Sequence, residues 1–170
     1  HCNTMTVTSI KYIIQFIVVV LLQVLLFNNM DYFYLVSPYI YIIFLLDLPL
    51  NIKTPSLMLI AFLLGLTVDF FSGTIGLHAF ASTWIGFFRQ SYLRVLFSHL
   101  EFKFQQPSVA QFETSGYLKY AVGMVSLHHI ALFMMESLSF NNFGFLLLRI
   151  IINIALSLLL IMCYELCRKK

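Results

Sequence analysis

The 170 residues are 61% hydrophobic and 10% charged, with a mean hydropathy of +0.91. A soluble domain carries about 25% charged residues, so a water-soluble globular fold is excluded and a polytopic membrane protein is indicated. The net charge of +3 calls for no nucleic-acid partner, because the basic residues flank apolar runs on one side.

Lys11 precedes the first apolar run, 12–27, which is broken only by Gln15 and Gln23. Charge followed by an apolar core is also the pattern of a signal peptide. No small-residue cleavage site follows, only Asn28-Asn29-Met30-Asp31, so an uncleaved first span is predicted. Tyr32, Phe33, Tyr34, Tyr39 and Tyr41 then suit the membrane–water boundary, where ring and hydroxyl each find their own solvent. The second predicted span, 38–50, opens on Ser37 and Pro38, a cap and a first-turn proline. It is short, about thirteen residues or roughly 20 Å, and Asp47 and Pro49 interrupt its far end.

The stretch 61–89 reads as a hairpin of two spans, 56–71 and 77–97, around the turn Ser72-Gly73-Thr74-Ile75-Gly76. Ala61, Gly65 and Asp69 recur every four residues on one face, and His78, Ser82 and Gly86 do the same on the other helix. Folding the hairpin sets Asp69 near His78, Gly65 near Ser82 and Ala61 near Gly86. Small residues let helix backbones approach closely in a bilayer. The pattern fits a structural hairpin with a polar clasp; a ligand or ion site built on the clasp and a partner-docking edge are the alternatives. Beyond Arg89 the second helix turns amphipathic and is expected to run out through the interface. A polar connection, 98–116, leads to the last two spans, 117–138 and 143–166, and Arg168-Lys169-Lys170 closes the chain. Three cysteines make no disulfide framework. Cys163 and Cys167 stand four apart, which is not a Cys-x-x-Cys motif, and they read as reduced.

Six spans form an all-α membrane bundle. Basic residues decide its orientation. Lys11, Lys53, Arg89, Arg94, Lys103, Lys119, Arg168, Lys169 and Lys170 fall on one side, while the connections 28–37, 72–76 and 139–142 hold no Lys or Arg. Both termini are therefore predicted to be cytoplasmic. Ionisable residues inside spans are functional candidates, since each costs about 2.5–3.5 kcal/mol at a helix centre. The set is Asp47, Asp69, His78, His128, His129, Glu136 and Arg149, of which Asp69, His78, Glu136 and Arg149 fall toward the outer face. Asp69, His78 and Glu136 could be metal ligands. His128 and His129 are adjacent and point about 100° apart, so they are not a two-ligand pair and suit hydrogen bonds between helices better. Glu136 and Arg149 flank the short turn 139–142 and are expected to pair, with Asp69 the competing partner for Arg149. No motif supplies a nucleophile, a base and an orienting group, so no catalytic residue is expected; the metal set is the minor alternative to hydrogen-bonded histidines, and no metal or cofactor is expected.

Several pieces, in order, resemble the bacterial rod shape-determining membrane protein MreD family. They are Leu25-Leu26-Phe27-Asn28-Asn29, Pro38-Tyr39-Ile40-Tyr41, Gly65-Leu66-Thr67-Val68-Asp69 with Gly76-Leu77-His78-Ala79, and His128-His129 followed by Glu136, Phe140 and Arg149. The resemblance runs from about Leu25 to the C-terminus. It implies a non-enzymatic scaffold subunit of the cell-wall elongation machinery, in the inner membrane with MreC, near the transpeptidase, the membrane glycosyltransferase and MreB filaments. That family is also similar in fold to the substrate-binding S component of energy-coupling-factor transporters, so a small-molecule-binding transport subunit is the alternative. S components dock through an alanine-rich first helix. The run 12–27 contains no alanine, which favours the scaffold.

Overall fold

A computed structural model describes residues 2–27, 36–98, 106–136 and 143–168. The described residues form six α-helices and no strand: α1 (Cys2–Leu22, continued by a π-helical turn, Gln23–Phe27), α2 (Ile42–Asp47), α3 (Thr54–Ser72), α4 (Leu77–Leu96), α5 (Val109–Glu136) and α6 (Phe143–Arg168). The connection 139–142, most of 28–37 and part of 98–116 lie outside the described residues. Three helices, α3, α5 and α6, are long and apolar enough to cross a membrane. In α1 the apolar stretch, Ile10–Leu26, is shorter. α4 has the length but carries His78, Arg89, Gln90 and Arg94.

Local chemistry sets the helix ends. Pro55 sits in the first turn of α3, where its missing N–H is no loss. Gly73 ends α3 with φ 68° and sends its N–H back to the Asp69 carbonyl. Gly76, with φ 76°, opens α4. Two left-handed glycines in four residues make the hairpin turn tight. Glu113 breaks α5 with φ 58° and ψ 167°. A single turn, 109–112, therefore precedes the long helix, and part of the expected connection is helical. Its Phe112 ring stacks on Phe97 at 4.0 Å, which ties the start of α5 to the end of α4.

The second predicted span takes a different form. Residues 38–50 hold the six-residue helix α2 inside an irregular segment, and every residue from Tyr41 to Leu50 is buried. Pro49 stops the helix at Asp47, because the residue before a proline is driven out of the helical region and Leu48 is extended. Irregular backbone at membrane depth is tolerated only where protein surrounds it and fills its hydrogen bonds, and the neighbouring helices do so. From α1, Gln23 Nε2 donates to the Pro38 carbonyl (3.3 Å) and Gln23 Oε1 accepts from the Ile40 amide (2.9 Å). From α6, Asn153 Oδ1 accepts from the Ser37 amide (2.6 Å) and Ser157 Oγ from the Tyr39 amide (3.3 Å).

These contacts fix directions. α1 runs antiparallel to residues 36–53, since Gln23 meets Pro38 and Gln15, two turns earlier, meets Asp47. α6 runs parallel to them, from Asn153 beside Ser37 to Arg168 beside Asp47. The bundle thus has an Asp69 end and an Asp47 end, each with a buried polar cluster. Between them lies an apolar layer of Ile42–Leu46, Ala61, Leu64, Val68, Ile85, Ala121, Met124 and Val125, all buried.

Candidate functional site

The Asp69 end is built on the α3–α4 hairpin. Asp69 is on the last turn of α3, and its carboxylate closes the start of α4. Oδ1 accepts from the His78 amide (3.0 Å), His78 Nδ1 (2.9 Å) and Thr74 Oγ1 (2.6 Å), and Oδ2 accepts from the Ala79 amide (2.9 Å). The second and third amides of a helix have no partner within it. A carboxylate there also faces the positive end of the helix dipole. Gly65, one turn before Asp69, permits the approach. A β-carbon on it would lie 2.4 Å from the His78 carbonyl oxygen and 2.5 Å from Ala79 Cα. Gly86 does the same one step further along, against Met58 and the Ala61 methyl. The expected Asp69–His78 and Ala61–Gly86 contacts are present. Gly65 abuts His78 and Ala79, one turn nearer the closed end than Ser82. Ser82 is fully buried and faces the Tyr41 hydroxyl.

Residues 36–41 enter this end between the hairpin and α5. The Tyr41 hydroxyl is hydrogen-bonded to His128 Nε2. His129 Nδ1 donates to the Val125 carbonyl (2.8 Å), which leaves Nε2 to accept from Ser157 Oγ at 3.3 Å. The two adjacent histidines thus serve different neighbours, Tyr41 and α6. Further out, Arg149 Nη1 donates to Glu136 Oε1 at 2.9 Å, and the guanidinium lies 4.6 Å over the Phe133 ring. The expected Glu136–Arg149 pair is present, while Asp69 is engaged with α4. Among the described residues no group of three or more His, Cys, Asp and Glu is placed to hold a metal ion.

The Asp47 end overturns a sequence expectation. Arg89, expected at an amphipathic interface, is fully buried, and Gln90 is buried beside it. Arg89 has no carboxylate partner among the described residues. Its Nε donates to Tyr120 Oη (2.7 Å), and its terminal nitrogens donate to the carbonyls of Leu46, Leu48 and Pro49. These carbonyls close the C-terminal end of α2, where a cation is favoured. Gln90 Nε2 donates to the Leu50 and Ile52 carbonyls (2.9 and 2.8 Å). Nearby, Asp47 accepts from Gln15, Tyr164 and Arg168. Arg168 also pairs with Glu165 (2.7 Å), and Glu165 Oε1 accepts from the Val109 amide (2.8 Å). An open cleft of about 480 Å³ lies alongside, lined by Gln106, Ser108, Ala110, Gln111 and Arg168.

Arg89, Gln90, Tyr120, Glu165 and Arg168 were not among the candidates from the sequence. The signal for Arg89 and Gln90 is their helical phase. Ser82, Ile85, Arg89 and Leu93 recur at three- and four-residue steps, and Gln90 extends His78, Ser82 and Gly86. A cation on the inward face of a hairpin helix needs partners, and proline-flanked carbonyls can supply them.

No family model matches the chain, and neither curated proteins nor solved structures give a match.

Proposed function

We propose that the protein is a six-pass membrane scaffold with both termini in the cytoplasm. It acts in the inner membrane of a bacterium as a subunit of the cell-shape and peptidoglycan elongation machinery, through MreC and the transpeptidase and glycosyltransferase of that machinery. The observation that carries this reading is the convergence of the residues behind the MreD resemblance. Gly65, Asp69, Gly76 and His78 meet in one clasp, and Glu136 and Arg149 meet in one pair. Residues 36–53 form the second pass, and the alternating direction of the helices supports six. Lys11, Lys53, Arg94 and Lys119 belong to the Asp47 end, which suits a cytoplasmic face. The buried polar groups bind one chain segment to another, as a scaffold requires.

Two experiments test it. Ile75→Cys should react with an impermeant thiol reagent from outside the cell, and Gln106→Cys only after the membrane is opened; the reverse overturns the topology. Purification of the tagged protein from its native membrane should bring elongation proteins with it, and its depletion in a rod-shaped host should cause rounding. Recovery of an ATPase pair with a transmembrane coupler would reassign it to transport.

A further inference from the structure

Tyr39 stands among three imidazoles. The ring centroids of His78, His128 and His129 lie 5.4, 5.8 and 5.4 Å from its own. His128 and His129 are fully buried, whereas Tyr39 and His78 keep 7% and 6% of their surface exposed. We propose that this cluster is an acid-sensitive latch: with His128 and His129 neutral it holds residues 36–41 against α4, α5 and α6, and proton uptake from the Asp69 end releases them. The inference goes beyond the scaffold reading. Only the compartment that supplies the acid rests on the topology proposed above.

The bonds at each ring define the latch. His129 donates from Nδ1 and accepts at Nε2, so a second proton removes the acceptor that Ser157 Oγ uses. Ser157 is the residue that receives the Tyr39 amide. His128 pairs through Nε2 with Tyr41, and its Nδ1 is buried without a hydrogen-bond partner among the described residues. A cation there would bring two donors to one acceptor. Burying an unpaired charge is costly.

No neighbouring element offers His128 or His129 a free carboxylate among the described residues. α1 presents Gln23. The 36–53 segment presents Tyr39 and Tyr41. α3 presents Asp69, which already receives four hydrogen bonds from the turn and α4. α4 presents His78 and Ser82. α5 presents Glu136, which is on Arg149, and α6 presents Asn153, Ser157 and Arg149. The Arg149 guanidinium covers Phe133, whose ring lies 6.0 Å from His129, so the fixed charge on that side opposes a second one. His78 lies against the Asp69 carboxylate at 2.9 Å and keeps a little of its surface exposed, which makes that end the side from which solvent reaches the cluster. A released histidine binds its proton near pH ~6.5. The latched state therefore keeps its full advantage above that pH and loses it as pH falls below.

The test uses the full chain in lipid nanodiscs. Ser37→Cys reports the latch, and its thiol labelling is divided by that of Ile75→Cys, which is exposed throughout, to remove the pH dependence of the reagent. Lowering the pH from about 8 to about 5 should raise this ratio severalfold, while Leu93→Cys, buried at the Asp47 end, stays protected. Adding His128→Phe and His129→Asn should flatten the rise. A flat ratio without those substitutions overturns the latch, whether or not the substituted protein folds. So does parallel exposure of Leu93→Cys, which would mean global unfolding, or an unchanged rise in a folded substituted protein.

Discussion

A glycine at position 65 is worth more than its helix propensity suggests. A single methyl there meets the backbone of His78 and Ala79, which cannot turn aside as a side chain would. Gly65→Ala should therefore cost about 3 kcal/mol, the upper part of the overpacking range. Gly144 is the control, because no described residue lies within 4 Å of a β-carbon built on it, and Gly144→Ala should shift stability by less than about 0.5 kcal/mol. Thermal unfolding in detergent compares the two, and equal effects would remove the close approach of α3 and α4. The Glu136–Arg149 pair has a smaller expected role than a buried pair. The side chains of Arg149 and Glu136 are 17% and 37% exposed, so the coupling from Glu136→Gln, Arg149→Met and the double variant should be about 1 kcal/mol. Additive losses would mean that the contact contributes nothing. Both features were legible in the sequence, the first as a four-residue recurrence of small residues, the second as two charges flanking one short turn.

At the scale of elements, legibility divides by whether a segment's own pattern decides its form. α3 and α4 are recognisable because an apolar run bounded by a first-turn proline or a glycine has one solution, and α6 because its apolar run is long. The 36–53 segment has two. Its composition fits a short span equally well, and the choice depends on groups far away in sequence, namely Gln23, Arg89, Gln90, Asn153 and Ser157. No local pattern announces that a neighbour will receive a carbonyl. Arg89 was misplaced for the same reason: charge alone suggests an interface, whereas its phase on α4 and the prolines near Leu48 together suggest a buried bond. The kink in α5 is a further local surprise, since glutamate rarely adopts the backbone found at Glu113. That conformation is essentially confined to glycine and carries about 1–3 kcal/mol of strain. Glu113→Gly should relieve it, less about 0.4–1 kcal/mol for the freer unfolded chain. The expected result is a modest rise in unfolding temperature, and a fall would show that the glutamate is held there by favourable contacts.

Across the whole molecule the two polar ends are insulated from each other. On α5, Tyr120 and His128 are eight residues apart, about 12 Å along the axis, and the buried side chains between them are apolar. Along α5 a continuous hydrogen-bonded route from the Asp69 end to the Asp47 end is therefore absent among the described residues. In the latch proposed above, this separation confines the response to acid to the Asp69 end.

The bonding of Arg89 has a consequence for biogenesis. Among the described residues its guanidinium is matched only by carbonyls of residues 46–49 and the Tyr120 hydroxyl. A hairpin of α3 and α4 released into lipid by itself would carry a bare cation, at about 2.5–3.5 kcal/mol on the insertion scale. The segment that receives it precedes α4 in the chain, so its carbonyls lack this donor until α4 is made. The exposed turn at Asn51 and Lys53 is a natural place to separate the two. Residues 54–170 expressed alone should be degraded, and co-expression of residues 1–53 as a second polypeptide should restore them to the membrane. A stable 54–170 fragment would show that the hairpin finds another partner for its arginine. Degradation of 54–170 and its rescue by 1–53 would make the two parts of the chain mutually obligate through one arginine.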